Sequence, residues 1–149
     1  MNIRAIRLFA AAALFAPLLA FGQKNSCVEC HNQLDGKFKA PVAALAADVH
    51  AEYGLSCKDC HGGNPDKDDI DLAKDKSFKG APKRSQIPQF CGGCHSDAAA
   101  MRAYNPSLRT DQLSQYGTSR HGQLLKAGDT KTAVCTDCHG VHGIQSARF

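Results

Sequence analysis

The chain has 149 residues, a formal charge of +4, no tryptophan, eight cysteines and seven histidines. So small a charge gives no polyanion-binding face, which excludes a nucleic-acid binder. The length allows one domain or two very small ones, and few aromatics among many Gly, Pro and charged residues leave too little apolar side chain for an ordinary core.

In chain order, MNIRAIRLFAAAALFAPLLAFG places Arg4 and Arg7 ahead of an apolar run over residues 8–21, then small Ala20 and Gly22 before Gln23. That is the layout of a secretory signal peptide over 1–22. The run is shorter than the roughly 18 residues of a membrane span, and no cysteine stands at the cleavage point to carry a lipid. Cleavage leaves residues 23–149 with a formal charge of +2 and no membrane span. The expected location is periplasmic or secreted, where eight cysteines would ordinarily form disulfides.

CVECH follows, with Cys27, Cys30 and His31. PVAALAADVHAEYG then predicts a helix over 41–54, with Pro41 in its first turn, Gly54 at its stop and His50 on the edge of its apolar stripe. CKDCH brings Cys57, Cys60 and His61. The segment 62–88 is rich in Asp and then in Lys and Arg, and reads as a solvated linker. Its acidic part lacks the glycine and final glutamate of a calcium loop, and its basic part could steer an acidic redox partner. CGGCH contains Cys91, Cys94 and His95. SDAAAMRAYNP predicts a short helix capped by Ser96 and ended by Asn105-Pro106, with Met101 inside it. TDQLSQYGTSRHGQLLKAG predicts a helix from Thr110 to near Gly128 that contains His121, where Gly117 and Gly122 would let backbone approach a flat ring. The last motif, CTDCHGVHG, holds Cys135, Cys138, His139 and His142.

Every cysteine therefore lies in a CxxC pair followed at once by histidine. A disulfide scaffold gives no reason for that histidine. Zinc ribbons pair their CxxC units at shorter and more regular separations than the 26, 30 and 40 residues found here. Covalent haem attachment accounts for the whole pattern: two thiols add across the two vinyl groups, and the adjoining imidazole becomes the proximal iron ligand. Four c-type haems are implied. Their porphyrin faces supply the apolar area the side chains lack.

Three histidines remain: His50, His121 and His142. CVECH, His50 and CKDCHG are echoed by CGGCH, His121 and CTDCHG, so the chain divides into two dihaem modules, about 23–64 and 88–149, joined by the charged linker. The three spare imidazoles are the expected distal ligands. His142, three residues from His139, projects from nearly the same side of one turn and must reach a different haem. The fourth distal position is unfilled, because Asn64 stands where the first module would match His142. Met101, an open or water-bound iron, or a ligand from another molecule are the alternatives.

The spacing of CGGCHSDAAAM, YGTSRHG and CTDCHGVHG resembles the small multihaem cytochromes c of respiratory and metal-reducing bacteria. It is similar to the tetrahaem cytochromes grouped with the nitrifiers' tetrahaem electron acceptor and the hydroxylamine-oxidoreductase haem arrangement. The resemblance implies a mainly α fold with much irregular coil and little or no β. It also implies attachment through the eight cysteines, proximal roles for His31, His61, His95 and His139, and a distal role for His121 in its SxHG setting. The expected function is single-electron transfer in anaerobic respiration, with a membrane quinol oxidase, a periplasmic reductase or an outer-membrane conduit as partner. The alternatives are an enzyme acting on a small nitrogen or oxygen species at one open haem, and a subunit of a self-associating haem filament. No general acid or base can be assigned, which favours a carrier over a catalyst.

Overall fold

The computed structural model describes residues 24–146, so the expected signal peptide over 1–22 lies outside them. Among the described residues there are α-helices and 3-10 turns joined by coil, and no strand. The helices run from four residues to nine, lengths at which an isolated helix does not hold in water. What they pack against decides the fold.

Several helices begin where the sequence offers a side-chain acceptor, and some stop at a left-handed glycine. Helix α1 (Ser26–Asn32) is capped by Asn25, whose side chain accepts from the Val28 N–H. A 3-10 turn (Gly36–Phe38) leads into α2 (Ala40–Leu45), which carries Pro41 in its first turn as expected. The single helix expected over 41–54 is instead two, α2 and α3 (Val49–Glu52). Asp48 breaks it: its extended backbone caps α3, and its carboxylate accepts from the His50 N–H. Helix α4 (Cys57–His61) is closed at its N-terminus by Asp59, which accepts from the Ser56 N–H at 2.7 Å, and ends at Gly62 with φ +70°.

The linker is folded rather than merely solvated. It forms α5 (Ile70–Ala73) and a 3-10 turn (Arg84–Gln86). It turns back on α4 so closely that a Cβ at Gly62 would sit 2.1 Å from the Ser77 carbonyl oxygen. Lys24 pairs with Asp68 at 2.6 Å, and Arg84 grips both carboxylate oxygens of Asp137. Two of the linker's charges are thus spent on internal pairs, each worth little on its own at this exposure.

Helix α6 (Ile87–His95) is the hub, with α7 (Ala98–Tyr104), α8 (Gln112–Thr118) and α10 (Cys135–His139) packed around it. Asp97 caps α7 in place of the expected Ser96, accepting from Ala99 and Ala100. The helix expected over 110–128 is also broken, into α8 and α9 (Arg120–Lys126), because Ser119 turns extended and caps α9. Gly122 serves this hairpin: a Cβ there would lie 2.0 Å from the Tyr116 carbonyl oxygen. Tyr116 donates its hydroxyl to the Ala133 carbonyl at 2.9 Å, fastening the hairpin to the approach of α10. Beyond α10 the tail returns to the first half of the chain, where the Val49 N–H donates to the Ile144 carbonyl at 2.7 Å.

No conventional core forms. Among the described residues the buried apolar side chains are Met101, Val134 and Pro88, and no large side chain is fully buried. Phe38, Tyr53, Ile70, Leu72 and Val141 stay exposed. A polypeptide of this size with so little apolar burial does not offset its conformational entropy unaided.

Candidate functional site

All four CxxCH motifs are helical, in α1, α4, the end of α6, and α10. None of their eight sulfurs is in a disulfide, and in each pair the first cysteine is half-buried and the second exposed. Helical geometry puts the two sulfurs on one side of the turn with the following imidazole beside them. Motifs that neighbour each other in sequence also neighbour each other in space. Cys27 acts electrostatically on Cys57, Cys94 on Cys60, and Cys60 on Cys91. Cys91 and Cys135 likewise act on each other, which as free thiols pushes Cys91 up and holds Cys135 down to about 7. The four motifs thus follow one another from α1 to α10 as a connected series.

Three imidazoles have an acceptor at Nδ1. His31 Nδ1 lies 3.0 Å from the Phe38 carbonyl oxygen and His61 Nδ1 2.9 Å from that of Gly80. His50 Nδ1 lies 2.9 Å from the Asp48 carboxylate. In each case the acceptor fixes the proton on Nδ1, leaving the Nε2 lone pair free for a metal. Burial, with His50 and His139 nearby, lowers the pKa of His95; burial, with His61 nearby, lowers that of His142 against the opposing pull of Asp48. Both shifts favour the neutral, ligating form.

The arrangement across the motifs is more specific. His95 faces His50 with ring centres 5.9 Å apart and planes at 77°. His61 faces His142 with centres 5.9 Å apart and planes at 35°. Two imidazoles bound on opposite sides of one metal, each bond about 2 Å long, have ring centres about 6 Å apart. Each facing pair joins an attachment-motif histidine to a spare one from elsewhere in the chain. The residues therefore fit iron porphyrins on an observation independent of the motif, and the scarcity of buried apolar side chains is a second. Among the described residues no group of three or more His, Cys, Asp or Glu side chains converges on a point, whereas a zinc site needs four such ligands together.

His142 is held in a turn few side chains adopt, with φ +52° between Gly140 at +76° and Gly143 at +97°. His121, on α9, is exposed and has no facing imidazole among the described residues. Met101 is 8 % exposed on α7, which packs on α6. Asn64, the counterpart of His142, is occupied as a turn residue: its side chain accepts from the Asp66 N–H, and its own N–H donates to Ala73.

Sequence reasoning missed Asp48. It is 6 % exposed and accepts from the His50 N–H, from His50 Nδ1, and from the N–H groups of Gly143 and Ile144. Burial pushes its pKa up, but these hydrogen bonds outweigh burial and hold it below the usual carboxylate range. The one local signal was the Asp-x-His spacing. The Gly143 and Ile144 contacts are 95 residues away or more and leave no trace in the sequence.

A family model described as Cytochrome c3 matches residues 49–148, which include the second, third and fourth motifs and all three spare histidines. No curated protein and no solved structure matches significantly. The match spans two thirds of the chain, and the chain belongs to the cytochrome c3 family of multihaem c-type cytochromes. Its first motif, Cys27 to His31, lies outside the matched residues.

Proposed function

We propose that this member of the cytochrome c3 family is an exported tetrahaem carrier of single electrons between respiratory partners. The observation that supports this most is the pair of facing imidazoles, His50 with His95 and His61 with His142, each at 5.9 Å. When bound, c-type haems supply the one-electron chemistry. The cysteine pairs would hold them, with His31, His61, His95 and His139 as the proximal ligands; His50 would share a haem with His95, and His142 with His61. Two imidazoles at one iron leave no place for a substrate and favour low reduction potentials, which suits a carrier. His121 would serve one of the two remaining haems, whose proximal ligands would be His31 and His139. Met101 we assign to packing, since it is among the few apolar side chains the fold buries.

The series of adjacent motifs from α1 to α10 supports a through-molecule path. Its donor and acceptor would be a membrane quinol oxidase and a periplasmic reductase or outer-membrane conduit. The nitrifier-type haem arrangement and a periplasmic location belong to the same reading, and no helix among the described residues is long and apolar enough to cross a membrane. Oxidation of the fully reduced holoprotein by a one-electron acceptor tests it. Four electrons per chain are expected, with no sustained turnover of nitrite, hydroxylamine or peroxide. Turnover of any of these would overturn the carrier reading.

One observation favours a second reading, an enzyme with a single exchangeable iron. Three spare imidazoles serve four motifs, and Asn64 is committed to its turn. Carbon monoxide titration of the reduced protein decides it: binding of one equivalent per chain supports an accessible iron, and no binding removes the enzyme.

A further inference from the structure

We infer that Asp48 is a shared positioning residue for two haems, bracing both distal ligands, His50 and His142, with one carboxylate. This rests on the distal roles proposed above for those histidines.

The geometry divides the work between its oxygens. Oδ1 accepts from the His50 backbone N–H and from His50 Nδ1, each at 2.9 Å. Oδ2 accepts from Gly143 N–H at 2.7 Å and Ile144 N–H at 3.1 Å, the two residues directly after His142. All four acceptor positions of an ionised carboxylate are thereby used, inside a site where Asp48 is almost fully buried. Around it the Val49 N–H donates to Ile144, and the Gln145 side chain donates to Ala47 at 2.5 Å. The clamp lies where support is needed, because His142 has a left-handed backbone that a non-glycine residue does not hold without external contacts.

Two consequences follow for the ligands. A carboxylate accepting from Nδ1 makes His50 a more electron-rich imidazole, which stabilises ferric iron and lowers the potential of the haem on Cys91 and Cys94. Fixing Gly143 and Ile144 aims His142 across at His61, toward the haem on Cys57 and Cys60. Those two motifs are neighbours in the series, as the Cys60 and Cys94 sulfurs indicate. One side chain therefore acts on consecutive carriers.

Asp48→Asn and Asp48→Ala separate these effects in the holoprotein. The Asn carbonyl still accepts from Nδ1, but its amide cannot accept from Gly143 and Ile144. In Asp48→Asn one haem is expected to rise in midpoint potential. The haem facing His142 is expected to become partly high-spin when oxidised, with carbon monoxide uptake above wild type. In Asp48→Ala both distal ligands loosen and uptake rises by more than one equivalent per chain. Potentials, low-spin signals and uptake unchanged in Asp48→Ala would overturn the inference. Should the variants not mature, the wild-type reduced protein carries the test by NMR: the Gly143 and Ile144 amides are expected to exchange slowly, and fast exchange at both contradicts the clamp. His50→Ala and His142→Ala separate the underlying reading. If neither alters a low-spin haem, the distal assignment itself fails. If both do while Asp48→Ala does not, only the role of Asp48 fails.

Discussion

At the scale of single residues the account rests on which imidazole faces which. His142→Ala should convert one low-spin haem to a form that binds carbon monoxide when reduced, and His50→Ala should do the same to a different haem. Electron paramagnetic resonance of the two single variants identifies which signal each removes. The ring planes predict those signals: near-perpendicular imidazoles at 77° give a highly anisotropic low-spin ferric signal, lost in His50→Ala. Planes at 35° give a rhombic signal, lost in His142→Ala. Met101→Leu should leave every low-spin signal in place and cost less than about 1.5 kcal/mol, as volume-conserving core exchanges do. Loss of a signal in that variant would make the thioether a ligand. The four CxxCH groups are legible in the sequence because one turn of helix holds all three side chains. The distal pairings are not, since His50 and His95, or His61 and His142, meet only through the fold.

At the scale of elements, both longer helices read from the sequence proved to be broken, for the same physical reason. Asp48 and Ser119 each offered the backbone a competing hydrogen bond and turned the chain. Gly122 carries the second break. Gly122→Ala must part α8 from α9 and should destabilise the holoprotein by roughly 2 kcal/mol or more, moving His121 with it. Gly117→Ala meets nothing within 4 Å at a helical position and should stabilise by about 0.5–1 kcal/mol. Denaturant unfolding of the two variants side by side checks both signs. Opposite signs are expected, and equal destabilisation would mean that hairpin packing is not what Gly122 provides.

At the scale of the whole molecule, composition alone anticipated that side chains would not make a core, and Met101, Val134 and Pro88 are the apolar side chains that the described residues bury. The mainly α class was what the family resemblance implied, and the described residues form helices and no strand. The folding back of the linker and the docking of the C-terminal tail on α2 and α3 were not legible, because they depend on glycine clearances and on backbone bonds between distant residues. A chain prepared without haem should lack cooperative unfolding and most of the helical circular dichroism of the mature protein, while the mature protein should unfold in a cooperative transition. The intact mass of the mature protein tests the central claim most directly. The account predicts the processed polypeptide plus four haems, one for each of Cys27/Cys30, Cys57/Cys60, Cys91/Cys94 and Cys135/Cys138. A mass equal to the bare polypeptide would contradict it.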